Sequence, residues 1–301
     1  MLPEWYIARR NFVETEIEQY LKNKYKSSEI QGLKSFQESL IYACKGGKKL
    51  RAILALEFYL TLKNISFSKF LAEKNTHKEI IYFMLALEFV HAYSLVHDDL
   101  PCMDNDTLRR GKPTVWKKYG EWQAVLVGDT LNTLSFEVIS ELQDAKKSVQ
   151  LTNLLSKAVG FEGMIGGQIM DLYFEEHCEE INIVKLTELH NKKTGALIKA
   201  SVQGAVLVSG KMNFLHKLTP FGEKLGLAFQ IKDDILDEEG SIGETGKSVG
   251  DGEEKGFVYF LGLENSKIQL KKLLSDCKLS IKILKSNHIN FLVDYIGNRK
   301  K

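Results

Sequence analysis

Residues 80–97, IIYFMLALEFVHAYSLVH, are apolar on nearly every side. A helix of that kind has no face to offer water, so it is stable only when other helices surround it. The rest of the chain can supply them. Prolines occur only at 3, 101, 113 and 220, which leaves long stretches without a helix breaker. Apolar residues recur at three- and four-residue spacing, and alternating strand patterns are rare. The expected fold class is all-α, a helical bundle around a central cavity. Helices are expected over 4–24, 30–44, 48–62, 77–98, 120–142, 148–175, 183–209, 217–238 and 259–297. A length of 301 residues suggests about two domains. Yet no linker or repeat divides the chain, and its chemical motifs run from 46 to 251, so a single domain over 1–301 is expected.

Composition excludes several functions. The formal net charge is +2, too balanced for a nucleic-acid surface or a polybasic anchor. Cys44, Cys102, Cys178 and Cys277 are scattered without a CxxC pair, which fits reduced thiols in a cytoplasm better than disulfides or zinc. The first twenty residues are charged and lack the apolar centre of a signal peptide. No run of 18 uncharged apolar residues occurs, so no membrane span is expected.

Two acidic clusters carry the chemistry. HDDLPCMDNDTLRRG, at the end of the apolar helix, holds Asp98, Asp99 and Asp104. FQIKDDILDEEG, far downstream, holds Asp233, Asp234 and Asp237. On a helix Asp233 and Asp237 share a face, and Gln230 joins them one turn earlier. Mg²⁺ takes one or two carboxylates and completes its shell with water and phosphate oxygens. A single such cluster reads equally well as a solvated helix end. Asp98, however, follows a strongly apolar helix, where an unpaired charge is costly. Were the two helices to run side by side, the clusters would face each other and repel, and divalent ions bridging them to a diphosphate would remove that penalty.

Basic residues accompany both clusters. CKGGKKLRAIL places Lys48, Lys49 and Arg51 after a glycine pair, where backbone and helix N-terminus can approach an anion. Alone, it is equally a plain helix start. Arg109 and Arg110 offer guanidinium forks suited to phosphate, and their adjacency points them toward two different ligands. Lys193 in HNKKTGALIKA and Lys247 in ETGKSVGD are further candidate cations, otherwise solvated surface. His91 lies seven residues before Asp98, on the same helical face. Gln168 and Asp171 in GGQIMD are spaced to reach the same cavity, while the glycines there permit close helix packing. Arg299, Lys300 and Lys301 read as a frayed, solvated tail, with closure over the active site as the alternative.

In their order along the chain, GGKKLR, HAYSLVHDDLPCMDNDTLRRGKPT, VGD, GGQIMDL, HNKKTGAL and GLAFQIKDDILD resemble the trans-isoprenyl diphosphate synthase family, the bacterial farnesyl diphosphate synthases above all. The resemblance implies an isoprenoid-synthase helical bundle, a homodimer, and three Mg²⁺ ions with Mn²⁺ as substitute. It implies metal binding by Asp98, Asp104 and Asp233, with Asp99, Asp234, Asp237 and Lys193 in the catalytic set. Arg109, Lys193, Thr194, Gln230 and Lys247 match positions that hold the allylic diphosphate. Lys48, Arg51, His91 and Arg110 match the isopentenyl diphosphate pocket. Tyr93 and Ser94 match the floor that stops elongation, and with Pro101 and Cys102 they favour a C15 product over a C20 one. Four positions depart from the pattern: Ala52 replaces a usual proline, Thr107 a common aspartate and Lys232 a common glutamine, and Lys255 stands one place early. A terpene cyclase would not need Lys48, Arg51 or the second cluster, and a non-catalytic partner subunit would not keep both clusters.

Overall fold

A computed structural model describes residues 2–25, 29–245 and 256–299, with backbone only for 241–245. Fifteen α-helices follow one another among the described residues: α1 (Glu4–Lys24), α2 (Gln31–Cys44), α3 (Leu50–Lys63), α4 (Phe67–Ala72), α5 (Lys78–Asp98), α6 (Val115–Tyr119), α7 (Glu121–Ser140), α8 (Ala145–Val159), α9 (Met164–Glu176), α10 (Ile183–His190), α11 (Ala196–Ser209), α12 (Leu215–Thr245), α13 (Phe257–Leu261), α14 (Leu263–Ile281) and α15 (Asn287–Asn298). A two-stranded hairpin, β1 (Leu108–Arg109) and β2 (Lys112–Pro113), interrupts them. The all-α expectation holds. Periodicity missed the short α4 and α6 and the hairpin, and it fused α8 with α9 and α13 with α14 and α15. One or two turns of helix are too short to show a period.

Residues up to Leu56 and Ser66–Thr152 form one compact unit. Its axis is α5, with α1, α2 and α7 packed against it. Ile80, Phe83, Leu87, Phe89 and Val90 are fully closed off, each burial contributing about 1.5–3 kcal/mol. The missing polar face is thereby explained, because partners cover the helix all round. The segment Lys74–Asp98 is also long and apolar enough by composition to cross a membrane, and 72% of its apolar window is buried within protein. Inside this wall Lys49 Nζ lies 3.4 Å from Glu88 Oε2, both side chains nearly inaccessible. Removing one partner of such a buried pair costs about 3–5 kcal/mol.

Glu57–Ile65 and the described residues from Asn153 onward form the second unit. Here α12 is the axis, contacted by α11, α13, α14 and α15. Ile231 and Ile235 of α12 pack with Leu189, Phe257 and Leu270. In α15 the buried residues Ile289, Leu292, Val293 and Ile296 make one apolar stripe, and Ser286 caps its start by accepting from the Ile289 N–H. Between α10 and α11 the chain stays helical, but Asn191–Gly195 widens to a π turn. Single π turns recur at functional positions in helices. Gly167 of α9 touches this bulge: a Cβ there would stand 2.2 Å from Lys193 N. That glycine of GGQIMD serves close packing.

Candidate active site

The first acidic cluster is built by a tight helix exit. Asp99 follows α5 directly, and its N–H donates to Leu95 O, while the Asp104 N–H returns to Asp98 O at 2.9 Å. The hairpin then turns through Arg110 and Gly111, both at positive φ, the two-residue connection whose twist suits paired strands. The turn sends the adjacent arginines apart. Arg109 Nε and Nη2 both reach Asp99 Oδ1 at 2.6 Å, and Nη2 also meets Asp106 Oδ2 at 3.3 Å. The Arg110 guanidinium lies on Gly47, where a Cβ would stand 2.4 Å from Nη1. Asp99 is buried, and desolvation lifts its carboxyl above the usual range although Arg109 pulls it back.

Beside this exit lies a cavity of about 280 Å³. Lys45, Asp99, Arg109, Arg110 and Lys112 give it charge, Gly47 contributes backbone, and Leu95, Val96, Pro113 and Val115 give it apolar surface. Arg110 thus lines the cavity, whereas Lys48, Arg51 and His91 are not part of its wall. Arg51 and Arg110 nevertheless lie close enough to His91 to act on it. The His91 imidazole is pushed well below its ordinary pKa, first by burial, then by Arg51, Arg110, Lys49 and Arg109. It is therefore neutral at pH 7, a donor and acceptor rather than a cation. Tyr93 is buried with its ring edge-to-face on His97, and burial followed by the Asp98 charge lifts its phenol to about 12. The Ser94 hydroxyl donates to His91 O.

The second cluster sits within the long helix α12 of the other unit. Asp233 Oδ1 is 2.6 Å from Arg299 Nη2, which also donates to Phe229 O at 2.7 Å. The Arg299 guanidinium stacks 3.8 Å over the Phe229 ring. Asp234 accepts the Phe257 N–H at 2.6 Å and lies 3.9 Å from His190 Nε2. His190 Nδ1 is 3.3 Å from Gln230 Nε2. Asp237 is exposed. On the π turn Lys193 pairs with Asp171 at 2.5 Å, and Thr194 is buried. Gln168 Nε2 is buried without a hydrogen-bond partner. Lys247 and Lys255 lie outside the described residues.

Residues 33–281 match the sequence profile of the polyprenyl synthetase family. The chain belongs to that family. It is 38% identical to a farnesyl diphosphate synthase of Micrococcus luteus over the whole of both chains. Among solved structures, an apo FPP/GFPP synthase from Zymomonas mobilis gives a TM-score of 0.82 at 32% identity, covering 95% of this chain and 96% of that one. A geranyltransferase from Helicobacter pylori, complexed with magnesium and isoprenyl diphosphate, gives 0.76 at 34% identity over 99% and 98%. The helices of this polyprenyl synthetase accordingly adopt the isoprenoid-synthase fold.

For a polyprenyl synthetase the donor chemistry suits magnesium. Each cluster offers hard carboxylate oxygens, and no group of three metal-ligating side chains converges among the described residues. Mg²⁺ takes such oxygens one or two at a time and completes its shell with substrate oxygens and water. One expectation is overturned. Arg299 is no frayed tail: it is 7% exposed and clamped on α12, because the apolar stripe of α15 docks there and carries the arginine to Asp233. Sequence reasoning also passed over Glu88, Asp106 and His190. Glu88 had left a signal, as an acid inside an otherwise apolar helix; Asp106 and His190 had left none.

Proposed function

We propose that this polyprenyl synthetase is a trans-prenyltransferase that condenses isopentenyl diphosphate with dimethylallyl or geranyl diphosphate to give farnesyl diphosphate. The observation that carries this reading is the amphipathic cavity beside Asp99. Its charged wall suits a diphosphate and its apolar wall a short hydrocarbon. Full-length identity to a farnesyl diphosphate synthase supports the same reaction.

In the proposed mechanism Asp98 and Asp104 of the first cluster and Asp233 of the second would hold the metal ions that accompany the allylic diphosphate. Asp99, Asp234 and Asp237 support them. When bound, magnesium neutralises the diphosphate and makes it a better leaving group. Three ions per allylic diphosphate are proposed, with Mn²⁺ able to replace Mg²⁺. Arg109, Lys193, Thr194, Gln230 and Lys247 add cationic and polar contacts to the departing group. The allylic C–O bond breaks with its electron pair leaving on diphosphate. The double bond of isopentenyl diphosphate, oriented by Lys48, Arg51, His91 and Arg110, then attacks the allylic carbon. A carbon–carbon bond forms, and the proton lost from the new cation passes to the released diphosphate. Apolar walls keep water from the cation. Tyr93 and Ser94 bound the growing chain, which favours C15.

An exposed apolar stripe on α7, made by Trp122, Val125 and Leu126, supports a homodimer. A single domain over 1–301 and a cytoplasmic setting belong to the same reading. Incubation with labelled isopentenyl diphosphate, geranyl diphosphate and Mg²⁺, then chain-length analysis, tests it. A C15 product that disappears with EDTA is expected. A C20 product would overturn the chain length, and a cyclic hydrocarbon or no elongation would overturn the reaction.

A further inference from the structure

The loop 45–49 carries Lys48 and runs into the first turn of α3, which carries Arg51, and the loop backbone is unusual. Gly46, Gly47 and Lys49 have φ of +79°, +80° and +51°. For lysine this left-handed conformation is unfavourable and persists only where the surroundings over-determine it. Three side chains hold the loop from α1 and from within: the Gly46 N–H donates to Glu14 at 3.1 Å, Tyr6 donates to Lys48 O at 2.7 Å, and Lys49 Nζ donates to Cys44 O at 2.5 Å.

The inner side is held by Glu88 of α5. Its carboxylate faces the Lys49 ammonium at 3.4 Å and accepts the Ala52 N–H at 3.3 Å. Glu88 is 3% exposed, so its charge is desolvated and binds these two donors tightly. The second bond exists because residue 52 is alanine; a proline has no N–H to give. One helical turn further along α5 stands His91, and Arg110 packs on Gly47 of the same loop. The carboxylate thus ties Lys49, the last left-handed residue of the loop, to the first turn of α3, whose Arg51 acts on His91.

We propose that Glu88 is a positioning residue for isopentenyl diphosphate: through Lys49 and the Ala52 N–H it fixes the left-handed loop 45–49 against the first turn of α3 and so sets Lys48, Arg51 and the Gly47–Arg110 contact for the second diphosphate. This rests on the reading above that these cations hold isopentenyl diphosphate.

The test is a pair of Michaelis constants. In Glu88→Gln, the KM for isopentenyl diphosphate rises roughly tenfold or more, as when the support of a binding group is removed. The KM for geranyl diphosphate and kcat at saturation stay nearly unchanged. Lys49→Arg, which keeps the charge, retains the wild-type constants, and Ala52→Pro gives a smaller rise. If Glu88→Gln does not fold, the double variant Lys49→Met with Glu88→Leu removes both buried charges together and carries the same expectation. A role in folding alone lowers the yield of active protein and moves neither KM. Unchanged isopentenyl KM, or equal rises for both substrates, would overturn the proposal. Lys48→Ala and Arg51→Ala run alongside. If they raise the isopentenyl KM and Glu88→Gln does not, positioning fails while the reading of the site stands. If they leave it unchanged, the reading of the site itself fails.

Discussion

The two acidic clusters are chemically alike and constructed differently. Asp98, Asp99 and Asp104 sit at a helix exit closed by neighbouring residues, and the arginine that meets Asp99 is only ten positions away. Asp233 and Asp234 sit inside a continuous helix and are met by residues remote in sequence: Arg299, Phe257 and His190. The first is a local device whose parts are written side by side. The second is assembled by tertiary packing, when α13 and α15 dock on α12. The contrast extends to burial. Asp99 is 4% exposed in its side chain and Asp233 35%, so the first arginine compensates a desolvated charge and the second restrains a half-solvated one.

The largest expected effect treats the clusters as equals. Asp98→Asn and Asp233→Asn each lower kcat by roughly 10²- to 10³-fold, the range for losing a preorganised charge contact. Both keep wild-type circular dichroism, and Asp233→Asn, which gives up its ion pair with Arg299, lowers the thermal midpoint only slightly. Steady-state turnover at saturating Mg²⁺ measures it, and wild-type turnover in either variant breaks the equivalence. A smaller effect separates the clusters. Arg109→Gln leaves Asp99 buried without its ion pair and costs about 2–3 kcal/mol, whereas Arg299→Gln leaves Asp233 half in water and costs about 1 kcal/mol. Urea unfolding of the two variants ranks them, and a larger loss for Arg299→Gln reverses the burial argument.

A pH effect belongs to the first unit. His91 titrates well below its ordinary value in the folded chain, because of burial and then the cations Arg51 and Arg110. The unfolded chain takes up a proton below about pH 6.5 while the folded one does not. Protons bound are then greater in the unfolded state, so stability is full above that pH and falls as the pH drops, by up to about 1.4 kcal/mol per unit. Unfolding of wild type and His91→Gln between pH 7 and 5 shows it, with a flatter curve expected for the variant. The last effect alters the product and not its rate of formation. Tyr93→Ala, five residues before Asp98, lengthens the product beyond C15, whereas Phe229→Ala, four before Asp233, leaves its length alone. Product chromatography distinguishes them.

The same contrast explains what could be read from the chain. Helix α5 was legible because a segment apolar on nearly every side, residues 80–97, admits one environment. The first cluster and its divergent arginines were legible because all their parts lie within about a dozen residues, and the hairpin turn does what adjacency suggested. The second cluster was legible as an i, i+4 pattern, but its partners were not. Nothing near Asp233 in sequence points to Arg299, whose place depends on a stripe of Ile289, Leu292, Val293 and Ile296 finding α12. Nor does periodicity reveal the π turn at Lys193, since one extra residue in a helical turn leaves the apolar pattern on either side intact. Glu88 shows the reverse case, a conspicuous residue whose partners, Lys49 and the Ala52 N–H, only the fold supplies.

Under the proposed mechanism both clusters serve one allylic diphosphate through divalent ions. Calorimetric titration of the wild type, Asp98→Asn and Asp233→Asn with an unreactive geranyl thiolodiphosphate, with and without Mg²⁺, measures that dependence. Magnesium-dependent binding at one site per chain is expected for the wild type, with strong loss in each variant. Full magnesium-dependent binding in either variant would contradict it.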